Sequence, residues 1–495
     1  MSATAASRIR ATSKPVRWRR VGVMDVGSNS VRLVVYDVRG RAMQPRFNEK
    51  VLAGLGRGLG ATGRLHPEGV ETALAALARF ASITRSQKVD SLFAFTTAAV
   101  REASDGKTFV DRVRRETGLV LRVLSGAEEA RFAAEGVLAG TPGVDGVVGD
   151  LGGSSLELAR LAGGRYETGS TYPLGPLALD TGGGFSEDKV LARARELMAS
   201  APELKKAGDL FFAVGGAWRA IGTLHMELTR APLHMLQNYE MDAQKLLPLL
   251  SDVMNGRKYA DVLQEIAKRR ASTIPYAAAV LKAVIEAGKF RTVMISSYGV
   301  REGVIFDSLE PAERAEDPLD AGLDALIVDE QAAEFGKALA SWAIEAAPYT
   351  LHQRLTSAAC RLVDIGALLH PDHRADLAFD LVARAPLPGL SHRDRAALAL
   401  AVASRFKRGI RNEVSDKLLD PNLAGRARAL GALMRLAADF SGRSAGLLRH
   451  SRLSCDGDTL TLRVETPYRA LVSEAVERRL QHAADELDMD YALTS

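Results

Sequence analysis

Up to about residue 310 the chain alternates short apolar, β-branched blocks with glycine-rich turns; beyond it the apolar positions fall at helical spacing. The run RVGVMDVGSNSVRLVVYDV (20–38) predicts a strand, a tight turn and a second strand, and DGVVGDLGGSSLELARL (145–161) predicts the same unit. After the first hairpin come a strand near 47–52, a glycine-rich loop, a helix over PEGVETALAALARFASI, a buried strand at SLFAFTTAAV, and helices over 105–117 and 127–138. After the second come the strand LFFAVGG (210–216) leading into helix AWRAIGTLH, helical sequence to about 288, and the strand RTVMISSY (291–298) leading into VREGVIFDSL. The pattern predicts two similar mixed α/β domains, at 21–137 and 138–312. Past the acidic stretch EPAERAEDPLDAGLD (310–324), Ala, Leu and Arg at helical spacing predict an all-α domain within 325–495. Its last part offers a hairpin turning at Asp456-Gly457 and a final helix over 467–487.

The two hairpins share more than a pattern. Offset by 125 positions, MDVGSNSVRL (24–33) returns as GDLGGSSLEL (149–158), which sets Asp25 on Asp150, Gly27 on Gly152, Ser30 on Ser155 and Leu33 on Leu158. A strand turning through Asp-x-Gly-x-x-Ser presents successive backbone N–H groups, and its glycine lets a bulky anion approach the main chain. Two such loops at the mouth of facing domains predict a clamp on phosphate. Asp25 and Asp150 cannot themselves bind phosphate favourably, so they are assigned to a cation or to orienting water. Arg32 stands in the first loop where Glu157 stands in the second, so one side suits charge binding and the other the activation of water.

Composition narrows the class. A chain of 495 residues, 47% apolar and 25% charged, is an ordinary soluble globular protein of two to four domains. No apolar run is long enough for a membrane span and the start lacks a signal peptide's apolar core, so a cytoplasmic location without membrane partners is expected. Two cysteines, Cys360 and Cys455, make no disulfide framework. Much of the net charge of +5 sits in residues 1–20, which carry six Lys/Arg and no acid and are expected to be a disordered basic tail. A second excess, thirteen Lys/Arg against five Asp/Glu over 391–452, reads either as a solvated helical face or as a surface for a polyanion. Trp18, Trp218 and Trp342 are scattered and form no base-stacking platform, and no nucleic-acid partner is expected.

Six motifs in order, DVGSNSVRL, TTAAVREA, LSGAEEARF, DLGGSSLEL, AVGGAWRAIG and SYGVREGVIFD, resemble those of the exopolyphosphatase and guanosine pentaphosphate phosphohydrolase (Ppx/GppA) family, within the actin, sugar kinase and chaperone ATPase superfamily. The resemblance covers residues 21–310. It implies an α/β fold of two ribonuclease-H-like domains with the active site in the cleft between them, followed by an all-α, degenerate HD-like C-terminal domain. It also implies Glu129 as catalytic base, with Glu128 as its rival, and Arg101 and Arg301 as phosphate ligands. Asp25, Asp150 and Glu157 would serve metal and water positioning, with Mg²⁺ as cofactor; Ser28, Asn29, Ser30, Gly152, Gly153, Ser154 and Ser155 would supply loop donors. Gly215 and Gly216 would let the second domain's turn approach the ligand. The family's usual third glycine is Ser154 here.

Two motifs are read as decoys. GLGATG (58–63) fits a dinucleotide pattern but precedes a Pro-Glu helix start, outside any βαβ context. CRLVDIGALLHPDHR (360–374) keeps Asp364 of an HD pair but has Val363 where the histidine belongs, and His370 and His373 flank a Pro-Asp pair. The expected activity is release of terminal orthophosphate from inorganic polyphosphate by in-line water attack, in a homodimer. Guanosine pentaphosphate hydrolysis, with guanosine penta- or tetraphosphate as ligand, and a non-catalytic polyphosphate or alarmone sensor are the alternatives. A superfamily sugar or acetate kinase would need an adenosine pocket and an acceptor site.

Overall fold

The computed structural model describes residues 18–495 apart from 181, 182 and 257. The expected basic tail therefore lies outside the described residues as far as Arg17. Arg19 and Arg20, assigned to that tail, instead open β1 (Arg19–Val26), where Arg19 pairs with Glu313 at 2.9 Å and Arg20 with Asp37 at 3.3 Å.

Strands β1, β2 (Ser30–Arg39), β3 (Ala42–Leu52), β4 (Ser91–Thr96) and β5 (Arg122–Val123) form one sheet in the order β3-β2-β1-β4-β5. The second sheet runs β10-β11-β9-β6-β7-β8, built from β6 (Gly146–Leu151), β7 (Leu156–Ala162), β8 (Arg165–Tyr172), β9 (Leu210–Val214), β10 (Tyr239–Asp242) and β11 (Thr292–Ile295). In each, an antiparallel meander of three strands continues into parallel ones. The order 3-2-1-4-5 recurs as 8-7-6-9-11, with β10 as an added antiparallel edge. The repeat legible in ten residues thus extends to whole sheets. Its register is conserved as well: Asp25 lies opposite Arg32 and Asp150 opposite Glu157. Both turns close alike, Gly27 N–H donating to the Ser30 carbonyl at 3.0 Å and Gly152 N–H to the Ser155 carbonyl at 2.9 Å.

Helices Gly126–Gly140 and Val300–Asp307 lie between the sheets. Their Phe132, Val137, Val304 and Phe306 share one core with Val23 and Tyr36 of the first sheet and Val148 and Phe212 of the second. The helices cross in backbone contact, because a Cβ at Gly136 would sit 2.2 Å from the Gly299 carbonyl oxygen and one at Gly303 1.8 Å from that of Phe132. Only glycine fits there. The boundary expected at 137/138 falls inside the first of these helices, which packs on β6, β7 and β8 as well as on its partner.

From Pro318 on, helices enclose a core of their own around Leu339, Phe379, Leu400 and Leu433. The region ends in a three-stranded sheet, in which β12 (Ser451–Asp456) and β13 (Thr459–Val464) make the anticipated hairpin and β14 (Asp490–Thr494) joins parallel to β13. It is tied to the second sheet's side by Gly389 N–H to the Gly140 carbonyl (2.8 Å) and Asn238 Nδ2 to the Leu390 carbonyl (3.0 Å). Several cations of the basic excess over 391–452 are engaged within their own domain. Arg395 is buried and donates to the Ala385 carbonyl at 2.8 Å, Arg405 pairs with Asp364 at 2.9 Å, Arg411 with Asp416 at 3.2 Å and Lys417 with Glu413 at 2.7 Å, while Arg393 pairs with Asp420. Of these, Arg395 and Arg405 are buried within the domain. Among the described residues no helix is long and apolar enough to cross a membrane.

Candidate active site

A cavity of about 400 Å³ opens where the two duplicated turns meet. Of the residues singled out from the sequence, Asp25, Ser28, Asn29, Ser30, Glu129, Asp150, Gly152, Gly153, Ser155, Glu157, Gly215, Gly216 and Arg301 line it. The turns touch tip to tip, since a Cβ at Gly153 would lie 3.1 Å from Ser28 Cβ. Ser154, expected as a phosphate donor, is not in the lining. It is buried, and its hydroxyl packs against the Cα position of Gly56 while its carbonyl accepts from Gly175 N–H at 3.1 Å. The extra hydroxyl therefore fills a gap behind the loop. Arg101 also stands behind the lining, paired with Glu129 and donating to the Leu124 carbonyl at 2.8 Å.

The two candidate bases separate cleanly. Ser125 caps the helix Gly126–Gly140, and Glu128 completes the capping box, accepting from Ser125 N–H at 2.9 Å and pairing with Arg122. Glu128 is thus committed to the cap, and Glu129, one 100° step on, turns inward and is buried. Gly126 allows the close approach, as a Cβ there would lie 2.3 Å from Thr171 Cγ2. The Thr171 hydroxyl in turn donates to Glu157 at 2.8 Å. Burial, then the nearby Glu157 charge, holds the Glu129 carboxyl well above the usual carboxylate range, against the opposing pull of Arg101. Burial likewise raises Glu157, and it pushes Asp150 up to about 6, with Arg219 opposing and Asp25 reinforcing. Asp25 is raised too, chiefly by burial.

Cations face these acids. Arg32, Lys50, Arg219, Arg270 and Arg301 all line the cavity. Burial lowers Lys50 to about 8, and the charges of Arg270, Arg32 and Arg219 push the same way. Arg32 falls to about 10 through burial and then the charges of Arg301 and Arg219. Arg219 is lowered by burial, Arg301 and Arg270. Mutual repulsion in a dry pocket costs free energy that an anion with several oxygens would recover. Arg301 is the best compensated, its burial outweighed by Glu302, Tyr36, Asp25 and Asp150.

Lys50, Arg219 and Arg270 were not among the residues expected from sequence. Arg219 sits in the quoted run AVGGAWRAIG, on the first turn of helix Gly216–Thr229, and its place beside the glycine pair was the available signal. Lys50 and Arg270 carry no spacing signal at all. Each glycine of the pair, besides lining the cavity, makes room for a neighbour. Gly215 has φ +107° and would press a Cβ to 2.5 Å from the Leu151 carbonyl, whereas Gly216 makes room for Arg270, whose Nη1 donates to its carbonyl at 2.6 Å.

Among the described residues no group of three or more His, Cys, Asp or Glu is arranged to hold a metal. Asp25, Asp150 and Glu157 therefore form no ready-made three-carboxylate cage, in contrast to the expectation. Their hard oxygens and raised proton affinities do fit Mg²⁺ bound in its usual fashion, through one or two carboxylates with water and substrate phosphate completing the shell. In the C-terminal region Val363 is buried, Asp364 is taken by Arg405, and His370 and His373 are exposed, so the degenerate HD motif brings no ligands together.

Comparison with known proteins agrees with this geometry. The sequence model of the Ppx/GppA phosphatase family matches residues 34–312, and that of the exopolyphosphatase C-terminal region matches 328–489. Exopolyphosphatase 1 of Mycobacterium leprae (strain TN) is 30% identical over 308 residues, which cover 59% of this chain and 90% of the relative. Two crystal structures share the fold: the Aquifex aeolicus Ppx/GppA family member (22% identity, TM-score 0.52, 61% of this chain and 100% of that one) and an exopolyphosphatase from Cytophaga hutchinsonii (23%, 0.53, 59% and 98%). The paired Asp-x-Gly turns, the inward Glu129 and a family match spanning both sheets lead to one conclusion: the chain belongs to the Ppx/GppA phosphatase family.

Proposed function

We propose that this protein is an exopolyphosphatase that releases orthophosphate from the end of inorganic polyphosphate. The observation that carries the reading is a buried glutamate, Glu129, sharing one cavity with five crowded cations above two phosphate-sized backbone turns. The terminal phosphate rests on the N–H groups of the two turns, with Arg301, Arg219 and Arg32 toward its oxygens and those of the next phosphate. Glu129 takes a proton from a water molecule, whose oxygen bonds to the terminal phosphorus as the bridging P–O bond opposite it breaks. The shortened chain keeps the bridging oxygen as its new end, and orthophosphate departs. Arg101 holds Glu129 in place and favours its ionised form. Asp150, with Asp25 or Glu157, would hold Mg²⁺, whose chemistry when bound is to neutralise charge on the phosphate oxygens. The reading includes a cytoplasmic homodimer.

The test is phosphate release by purified protein with Mg²⁺ from long-chain polyphosphate, guanosine pentaphosphate and ATP, beside Glu129→Gln. Rapid release from polyphosphate, reduced about 100-fold or more in the variant with KM little changed, is the expected result. Preference for the pentaphosphate would move the substrate assignment to the alarmone. Binding of polyphosphate without release would make the protein a sensor and remove Glu129 from catalysis.

A further inference from the structure

A second cavity, of about 340 Å³, lies in the C-terminal helical region and is lined by Ala367, Arg374, Arg405, Ala438, Asp439, Gly442 and Arg443. It shares no residue with the cleft between the sheets. Three of its seven residues are arginines, and the others apart from Asp439 are too small to fill the space between them. Asp439 is already engaged, accepting from Arg479 Nε at 2.7 Å. Asp364 offsets part of the remaining charge, taking Arg405 at 2.9 Å and lying 3.6 Å from Arg443. Counting these groups, three arginines and Arg479 face two aspartates, an excess of two positive charges.

Arg405 gives the cavity direction. It is more than nine-tenths buried, its guanidinium lies 4.6 Å from the Phe406 ring centroid, and its Nε has no hydrogen-bond partner among the described residues. A buried guanidinium N–H left unpaired is costly and is normally met by an acceptor. Burial lowers the Arg405 pKa to about 10, Asp364 opposing and the Arg443 charge adding to the fall. Arg374 donates to the Leu369 carbonyl at 3.3 and 3.4 Å, lies over the Phe406 ring at 5.5 Å, and leaves donors to spare. The polypeptide has thus assembled planar donors and positive charge around a space of suitable size.

We propose that this cavity is a second anion site that binds a phosphate dianion through Arg374, Arg405 and Arg443. Three planar guanidinium groups match the several oxygens of a phosphate, and two charges match its dianion. The same chemistry is presented by free orthophosphate and by the phosphate end of a small organic monoester. It takes the place of the metal that the Asp364 motif would otherwise imply: Asp364 here orients arginines.

The experiment is equilibrium binding of radiolabelled orthophosphate to the full chain, compared with Arg219→Gln in the cleft and with Arg374→Gln and Arg443→Gln in the C-terminal region. The last two residues are partly exposed, and melting curves check that the variants fold. The expected result is two sites per chain, one weakened about tenfold or more in Arg374→Gln and Arg443→Gln and unaffected in Arg219→Gln. Competition with adenosine monophosphate separates the sources: displacement at lower concentration than unlabelled orthophosphate assigns a monoester, and the reverse assigns free phosphate. One site per chain, lost in Arg219→Gln and unchanged in the two C-terminal variants, would overturn the proposal and leave the assignment of the cleft intact.

Discussion

A carboxylate that is to take a proton from water must be ionised when the water arrives, and a cation that is to hold phosphate must still be charged. These needs set opposite pH limits in the cleft. Burial pushes Asp150 up to about 6, so acid neutralises it in the range where an exposed aspartate would stay charged. Burial and neighbouring arginines lower Lys50 to about 8, so its charge is lost as pH rises through that value in the free protein. The acid limb of kcat/KM should therefore follow Glu129, which burial and the Glu157 charge hold well above the usual carboxylate range. Activity should already be falling at a pH above that at which Asp150 is neutralised, while loss of the Lys50 charge weakens binding above about pH 8. The alkaline fall should appear mainly in KM, because bound polyanion holds Lys50 protonated; Lys50→Arg should move that limb to higher pH. A profile flat from pH 7 to 10 would remove Lys50 from the site. Sequence could narrow the base to Glu128 or Glu129, since adjacent helical residues face different ways. Only the cap at Ser125 decides between them. Ser154 went the other way: its neighbours in sequence are loop donors, and nothing local tells that its hydroxyl is enclosed by Gly56, about a hundred residues earlier.

At the scale of elements, the cross-strand rows carry the chemistry. Asp25, Arg32 and Lys50 are register partners across β1, β2 and β3, and Asp150, Glu157 and Thr171 are the equivalent row across β6, β7 and β8. One row is rich in cations, the other in oxygen acceptors. Asp25 and Asp150 were legible because the repeat aligns them. Lys50 was not, because its membership depends on the register of β2 with β3, which includes an irregularity at Val35/Tyr36. The helices that carry Glu129 and Arg301 meet at Gly136, Gly299 and Gly303. Gly136→Ala should force them apart at a cost of about 1–3 kcal/mol, read as a lower urea midpoint, and should reduce turnover through displacement of Glu129 on the same helix. Gly60→Ala, in the short helix Leu59–Thr62 where a Cβ meets nothing within 4 Å, is the control and should leave both unchanged.

At the scale of the molecule, the division into two lobes follows from the strand order, but the chain does not respect it. It enters the space between the sheets at Gly126 and returns there at Val300, and residues of both sheets contribute to one core. No periodicity in a linear sequence reports that two helices 160 residues apart share an interior. The basic excess over 391–452 stayed ambiguous for a related reason, since the pairing of Arg405 with Asp364, which lies outside the segment, becomes visible only in three dimensions. A shared core predicts that β1–β2 and β6–β7 open together: native-state hydrogen exchange should give their slowest amides a common opening free energy, and two distinct values would show that the lobes separate. Tip-to-tip turns and a glycine-locked crossing also bear on turnover. Walls that hold a common interior cannot gape and shut like a jaw without wetting part of it. On the proposed activity, a polymer cut more than once would have to supply the movement itself, each shortened end advancing past the cations that line the cleft.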